Sequence, residues 1–357
     1  MPVVEDEARI KQSVTSGVPE RLYVFCGAEP YLKEHYMNQL VTSCVTPGFE
    51  VFNLKKLDGA ECTAEQILAA ADQAPLMMGR NCVVVRDFPL TKVSSADCKL
   101  LTEYFAHVPD STVLIFNLPD ADFPPKQSRD ETEGEDKGVK KQRKEMFDVL
   151  SKHAFIAKLN KLPEQRVVRL LVNGAKRRGA VLSTANAQLL LQYCGTDLYN
   201  LMNELDKVCA YAAGGEVTAE IIDRVAVKTL EATVFDITDR LFAGNLEAAL
   251  NALEILLFFR TPAQSIMGAL ISPFVNIYRV KLAEQSRKTN AELMKSFSYS
   301  SYFVLDKARR NARRVTMDGI IRCLEILDNA DLCLKSRGGS ENIVLEETLV
   351  KLGAVLR

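Results

Sequence analysis

The stretch that most invites chemistry is Cys26-Gly-Ala-Glu-Pro-Tyr31, which follows an apolar run and precedes a helical pattern. In that setting a glycine turn and helix N-terminal amides can cradle a triphosphate. The residue types refuse it. There is one glycine and no Gly-Lys-Ser/Thr; Glu29 puts a carboxylate where phosphates would lie, and Pro30 removes an amide donor. After the apolar run at 112–118, the acidic pair that would hold magnesium is replaced by Asn117-Leu-Pro-Asp120. No GxGxxG, HExxH or metal-spaced cysteine cluster occurs elsewhere, and His35, His107 and His153 are far apart, as surface or capping histidines are. Nucleotide hydrolysis, a metal site and a cofactor are therefore not expected, nor is intrinsic catalysis by this chain.

Two other stretches have the character of binding surfaces. Between Asp72 and Arg86, the side chains of Leu76, Met77 and Met78 stand among punctuation residues instead of inside an element. Upstream, Thr63-Ala-Glu-Gln66 has the spacing of a capping box and predicts a helix from Ala64. Pro75 keeps that helix from running far past Gln73, and the β-branched run Cys82-Val-Val-Val85 predicts a buried strand. Residues 74–81 are thus a connection with an apolar tip. Such a tip either folds down as local core, the ordinary fate of these side chains, or is presented to a partner, for which methionine is well suited. Arg80 at its edge is a surface arginine or a contact to an acidic rim. The second stretch runs from Arg279 to Arg314, with ten basic residues against Glu284, Glu292 and Asp306. Arg309 and Arg313, and Arg310 and Arg314, are four apart and share a helical face. Either this is a solvated face, or it contacts nucleic-acid phosphates without regard to sequence, with Tyr299 and Tyr302 interleaved.

The elements that must position these residues change character along the chain. After about twenty polar residues, strands are predicted near 21–27, 49–54, 82–85, 112–118 and 155–159, alternating with helices near 29–40, from Ala64, and near 98–105. That alternation indicates a mostly parallel sheet covered on both faces. Residues 126–145 hold mixed charge without apolar periodicity and are expected to be a solvated, mobile insertion. Beyond Pro163 the patterns are helical, at 165–178, 188–193 and 198–212, then 234–243, 246–259, 262–284, 302–314, 317–334 and 343–356. With 357 residues the chain can bury several cores, and its net charge of −1 gives no global attraction to nucleic acid or membrane. Nine scattered cysteines, no signal peptide and no apolar run near the length of a bilayer span predict a soluble chain of the reducing cytoplasm, with no membrane partner.

Five segments in order resemble one family, the delta subunit of the bacterial DNA polymerase III clamp loader. They are Tyr23-Val-Phe-Cys-Gly-Ala-Glu-Pro-Tyr-Leu32; Ala74-Pro-Leu-Met-Met-Gly-Arg-Asn-Cys-Val-Val-Val85; Gly195-Thr-Asp-Leu-Tyr-Asn-Leu-Met-Asn-Glu-Leu-Asp-Lys207; Val234-Phe-Asp-Ile-Thr-Asp-Arg-Leu-Phe-Ala-Gly-Asn245; and Asp328-Asn-Ala-Asp-Leu-Cys-Leu-Lys335. The resemblance implies a degenerate AAA+-like α/β domain at 1–161, a small helical lid at 162–229 and a helical collar at 230–357. It implies that Leu76, Met77, Met78 and Arg80 contact the sliding clamp (beta) and stabilise its opened ring. It also implies that ATP is handled by other subunits of the loader, that gamma/tau and delta-prime type subunits are partners, and that primer–template DNA is met through the complex; within this chain the basic stretch, with Arg309, Arg310, Arg313 and Arg314, is the candidate for that contact. The chain would then be part of the DNA polymerase III holoenzyme, a DNA-directed DNA polymerase, without being its catalyst. Met77 stands where the family's plug has an aromatic, the insertion at 126–145 is longer than the family suggests, and no tyrosine near 337–339 offers a stacking residue. A different AAA+ subunit of the loader would need a nucleotide site or a Ser-Arg-Cys motif, and neither is present. An enzyme acting on nucleotides through the α/β domain would show tight stoichiometric ATP or GTP binding.

Overall fold

The computed structural model describes residues 3–76, 79–119, 122–124, 137–286, 288, 290–297, 302–336 and 340–356. The chain divides into two compact units, Met1–Leu162 and Pro163–Arg357.

The first unit is built on a five-stranded parallel sheet in the order β2-β3-β4-β1-β5. Its strands are β1 (Leu22–Cys26), β2 (Leu54–Asp58), β3 (Asn81–Arg86), β4 (Thr112–Asn117) and β5 (Phe155–Lys158). The interior strands β1, β3 and β4 are buried almost throughout, as continuous apolar runs covered on both faces must be. Helices α1 (Glu7–Thr15), α2 (Pro30–Cys44), α3 (Glu50–Asn53), α4 (Ala64–Ala71), α5 (Ser95–Ala106) and α6 (Lys137–His153) complete it. The capping box read from Thr63 and Gln66 is present in both directions, Gln66 N donating to Thr63 Oγ1 at 3.2 Å and Thr63 N to Gln66 Oε1 at 2.9 Å.

Two expectations are corrected here, and the N-terminus adds a feature. The strand predicted over 49–54 is instead the short helix α3 followed by β2. Asn53 N bonds to Phe49 O at 2.9 Å, so the chain turns before it extends, and the edge strand begins only at Leu54. The polar N-terminus is not featureless: Asp6 caps α1, which buries Ile10 and Val14, and Val4 bridges Ala157 on β5. The mixed-charge insertion is a helix from Lys137 onward, because Arg143, Met146, Phe147 and Leu150 share its buried face. Arg143 Nη2 donates to Val93 O at 3.2 Å, and Ser95 on α5 hydrogen-bonds Gln142. Residues 126–136 lie outside the described residues.

In the second unit, α7 (Glu164–Arg177), α8 (Thr184–Cys194), α9 (Leu198–Ala212) and α10 (Ala219–Val225) precede a longer helical set. That set is α11 (Leu230–Phe242), α12 (Leu246–Phe258), α13 (Ala263–Gln285), α14 (Asn290–Ser296), α15 (Tyr302–Ala312), α16 (Met317–Ser336) and α17 (Glu341–Val355). The longer helices share one core that runs from Val234 to Leu352. At its centre α13 is long and apolar enough, by length and composition, to cross a membrane, with mean hydropathy 1.2 over 18 residues. No such run was expected from the sequence. Half of that window is buried, and Ile266, Met267, Leu270, Phe274, Ile277 and Val280 pack into the helical core, which accounts for its apolarity.

Candidate functional site

The connection between α4 and β3 is held at both ends by buried polar groups. Asn81 Nδ2 donates to the carbonyls of Ala70 and Ala71 at 2.9 and 3.1 Å, closing the C-terminal turn of α4 onto the first residue of β3. Lys55 on β2 donates to Ala70 O at 3.1 Å and to the Gln73 side chain. Gly79 sits at φ +103°, a region closed to residues with a Cβ, and a Cβ there would meet Thr46 Oγ1 at 3.0 Å. Arg80 N then bonds to Cys44 O at 3.1 Å at the end of α2.

Between these anchors a third clamp fixes the tip. Asn53, the last residue of α3, is 0% exposed and bonds the backbone of Leu76 in both directions. Leu76 N donates to Asn53 Oδ1 at 2.7 Å, and Asn53 Nδ2 donates to Leu76 O at 3.1 Å. With its backbone paired this way, Leu76 is 47% exposed. Leu76 is thus exposed and not local core. Met77 and Met78 lie outside the described residues. Arg80 is half-buried and donates from Nη1 to Pro19 O at 3.2 Å, so it braces the base of the loop.

Sequence reasoning missed Asn53 and its neighbours. Val51 and Phe52 are 88% and 56% exposed on α3, beside the asparagine that grips Leu76. A polar residue between Phe52 and Leu54 was the available signal, since a buried amide in an apolar run must find partners. It was hidden because 49–54 reads as an extended strand.

At the turn after β1, the fold fills the position a phosphate would take. Gly27 has φ +108°, and a Cβ there would lie 2.2 Å from Leu159 O. Glu29 is buried and caps α2: its Oε1 accepts from Tyr31 N at 3.3 Å, and its Oε2 pairs with Lys161 Nζ at 3.0 Å. The α2 lysine, Lys33, is also buried and donates to Leu118 O at 2.7 Å, behind the end of β4. The helix terminus and both lysines are thus engaged internally, leaving the chain's own carboxylate at the anion position.

Two cations of the basic stretch in the second unit reach helix C-termini. Lys281 donates to Ala312 O at 2.9 Å, at the end of α15, and Arg314 Nη1 to Phe242 O at 3.4 Å, at the end of α11. Cations placed there meet the negative ends of helix dipoles. Lys307 pairs with Asp239 at 2.8 Å, and Arg279 lies over the Phe297 ring at 4.5 Å. Arg309 is half-buried, with its Nε out of solvent. Past the end of α15 at Ala312, Arg313 N still bonds to Arg309 O at 3.3 Å, one turn below, whereas Arg314 N bonds to Asn311 O at 3.0 Å; Arg310, Arg313 and Arg314 are exposed. Arg310 pairs with Asp306 at 3.5 Å across solvent, a contact worth little. Tyr299 lies outside the described residues.

Comparison with known proteins identifies the family and the fold. The sequence model of the family "DNA polymerase III, delta subunit" matches residues 23–129, and that of its C-terminal domain matches residues 231–352. The chain belongs to the DNA polymerase III delta subunit family. The first match spans the filled phosphate position and the Leu76 loop, and the second spans the core of the longer helices. DNA polymerase III subunit delta of Bacillus subtilis is 23% identical over 351 residues, covering 96% of this chain and 95% of the relative. A probable DNA polymerase III subunit delta of Aquifex aeolicus is 28% identical over 147 residues, covering 41% of this chain and 42% of its own. The solved structure of the Bacillus subtilis DNA clamp loader delta protein superimposes with a TM-score of 0.62 at 20% identity, over 97% of this chain and 99% of that one, and shows the same fold. Family membership makes this chain one subunit of a replication assembly.

Proposed function

We propose that this chain is the clamp-opening subunit of a clamp loader: it inserts the apolar tip at Leu76 and Met77 into a pocket on the sliding clamp and stabilises the opened ring for loading onto primed DNA. The observation that carries the reading is the two-way grip of buried Asn53 on the backbone of Leu76, an apolar residue left 47% exposed. Burying the exposed half of Leu76 contributes roughly 1 kcal/mol, and a second side chain from the tip brings the gross gain to about 3 kcal/mol before ordering costs. A contact of that size opens a ring only if it is made better with the open interface than with the closed one, which is the differential affinity any ligand needs to shift an equilibrium. Arg80 supports the tip from its base through Pro19. ATP is bound and hydrolysed elsewhere in the loader, whose other subunits, of gamma/tau and delta-prime type, are this chain's partners. Residues 162–229 serve as lid and 230–357 as the collar that meets those subunits, and the assembly works in the cytoplasm.

Binding of the purified chain to the sliding clamp, measured beside Leu76→Ser/Met77→Ser, tests the reading. Loss of binding only in the double variant is expected; equal binding by both would remove the proposal. A contact with primer–template phosphates is a second part of the reading, carried by exposed Arg310 and Arg313. In the complete loader, Arg310→Glu/Arg313→Glu is expected to lower the salt slope of DNA binding by about one for each phosphate that is no longer neutralised, and an unchanged slope would remove this part.

A further inference from the structure

The ends of two neighbouring segments make more of an apolar edge than the loop alone. Strands β2 and β3 are parallel, with Leu54 paired to Cys82, so the segments leading into them, α3 and the Leu76 loop, arrive at the same end of the sheet. Asn53 then locks one to the other through both backbone groups of Leu76, at 2.7 and 3.1 Å. On the helix side of that lock, Val51 and Phe52 are among the exposed apolar residues of the unit, whereas Asn53 is fully buried. Their backbone is ordered: Asn53 N bonds to Phe49 O, and Leu54 N closes on Glu50 O. Solvent-facing apolar side chains on a backbone pinned in this way are a preorganised contact surface, since little ordering remains to oppose docking.

We propose that Val51 and Phe52 are a second anchor for the sliding clamp, engaged together with Leu76 as one rigid edge; this rests on the clamp reading above. The partner surface is an apolar groove continuous with the pocket that takes the loop tip. Phe52 adds an aromatic side chain, the residue type that most often dominates such contacts, at a position set by the fold and not by the loop sequence. Because both residues face solvent in the free chain, removing them leaves the fold intact.

The test is a titration of fluorescently labelled sliding clamp with the full chain, comparing Phe52→Ser, Val51→Ser, Leu76→Ser/Met77→Ser and, as a control on an exposed valine of the second unit, Val227→Ser. Coincident urea transitions check that each variant is folded. Phe52→Ser is expected to weaken binding about tenfold, the scale of one missing aromatic anchor, Val51→Ser to weaken it less, and Val227→Ser to leave it unchanged. If Phe52→Ser and Val51→Ser bind like the unmutated chain while the loop variant fails, the second anchor is overturned and the clamp reading stands. If the loop variant binds normally, the clamp reading itself fails and takes the second anchor with it.

Discussion

Replacing Asn53 by alanine removes both hydrogen bonds that hold Leu76, without touching any exposed side chain. The two bonds, 2.7 and 3.1 Å long, join a fully buried amide to a loop backbone. At about 1 kcal/mol net for each, their loss destabilises the closed loop by about 2 kcal/mol, a factor of roughly 30 in the equilibrium between held and released loop. The assay is amide hydrogen exchange, which reports local opening directly. In Asn53→Ala the Leu76 amide is expected to exchange roughly 30-fold faster, while amides in the interior strands β1 and β4 keep their protection. Asn53→Asp keeps an acceptor for Leu76 N but buries a carboxylate against the Leu76 carbonyl, so it is expected to release the loop at least as much as alanine. Clamp binding should weaken in the same order, because a released tip must be ordered again on docking. Unchanged Leu76 exchange in Asn53→Ala would refute the reasoning, since it would mean that the loop holds its shape without this clamp.

Gly79→Ala forces a Cβ into a left-handed position 3.0 Å from Thr46 Oγ1; a loss of about 1–3 kcal/mol is expected, read as a lower midpoint in urea. Thiol labelling of the native chain at pH 8 is expected to reach only Cys62 and Cys333, the two cysteines not fully buried. Burial pushes the thiols of Cys26 and Cys323 up to about 11 and that of Cys194 up to about 12, with Cys82 raised further, so the reactive thiolate is scarce until the chain unfolds. Rapid native labelling of Cys82 would show that β3 opens. Glu29→Ala removes the cap of α2 and leaves Lys161 without its carboxylate; about 1–2 kcal/mol of stability should be lost, and unaltered thermal unfolding would count against the capping role.

Much of the α/β unit was legible in the residues alone, because local signals there agree with the fold: β-branched runs became the interior strands β3 and β4, and the Thr63 capping box formed as read. The absence of phosphate-binding residue types after β1 was equally plain. The structure added that Glu29 and Lys161 occupy that place, a pairing between residues 132 positions apart that no local pattern carries. Charge counting could not place each cation in the second unit. A local excess of cations looks the same in sequence whether it faces solvent or caps a distant helix, and Lys281 and Arg314 cap helices whose ends lie 31 and 72 residues away.

The Leu76 tip marks the boundary most clearly. Its sequence determined that a connection with apolar side chains must exist, since Pro75 and Gly79 bar regular structure between a capped helix and a β-branched strand. Whether that tip would be core or surface depended on Asn53, which lies 23 residues away and reaches it only because β2 and β3 pair in parallel register. Periodicity reports which face a residue takes within its own element; the partner of a buried amide is set by how elements meet, and that is decided only in the folded chain.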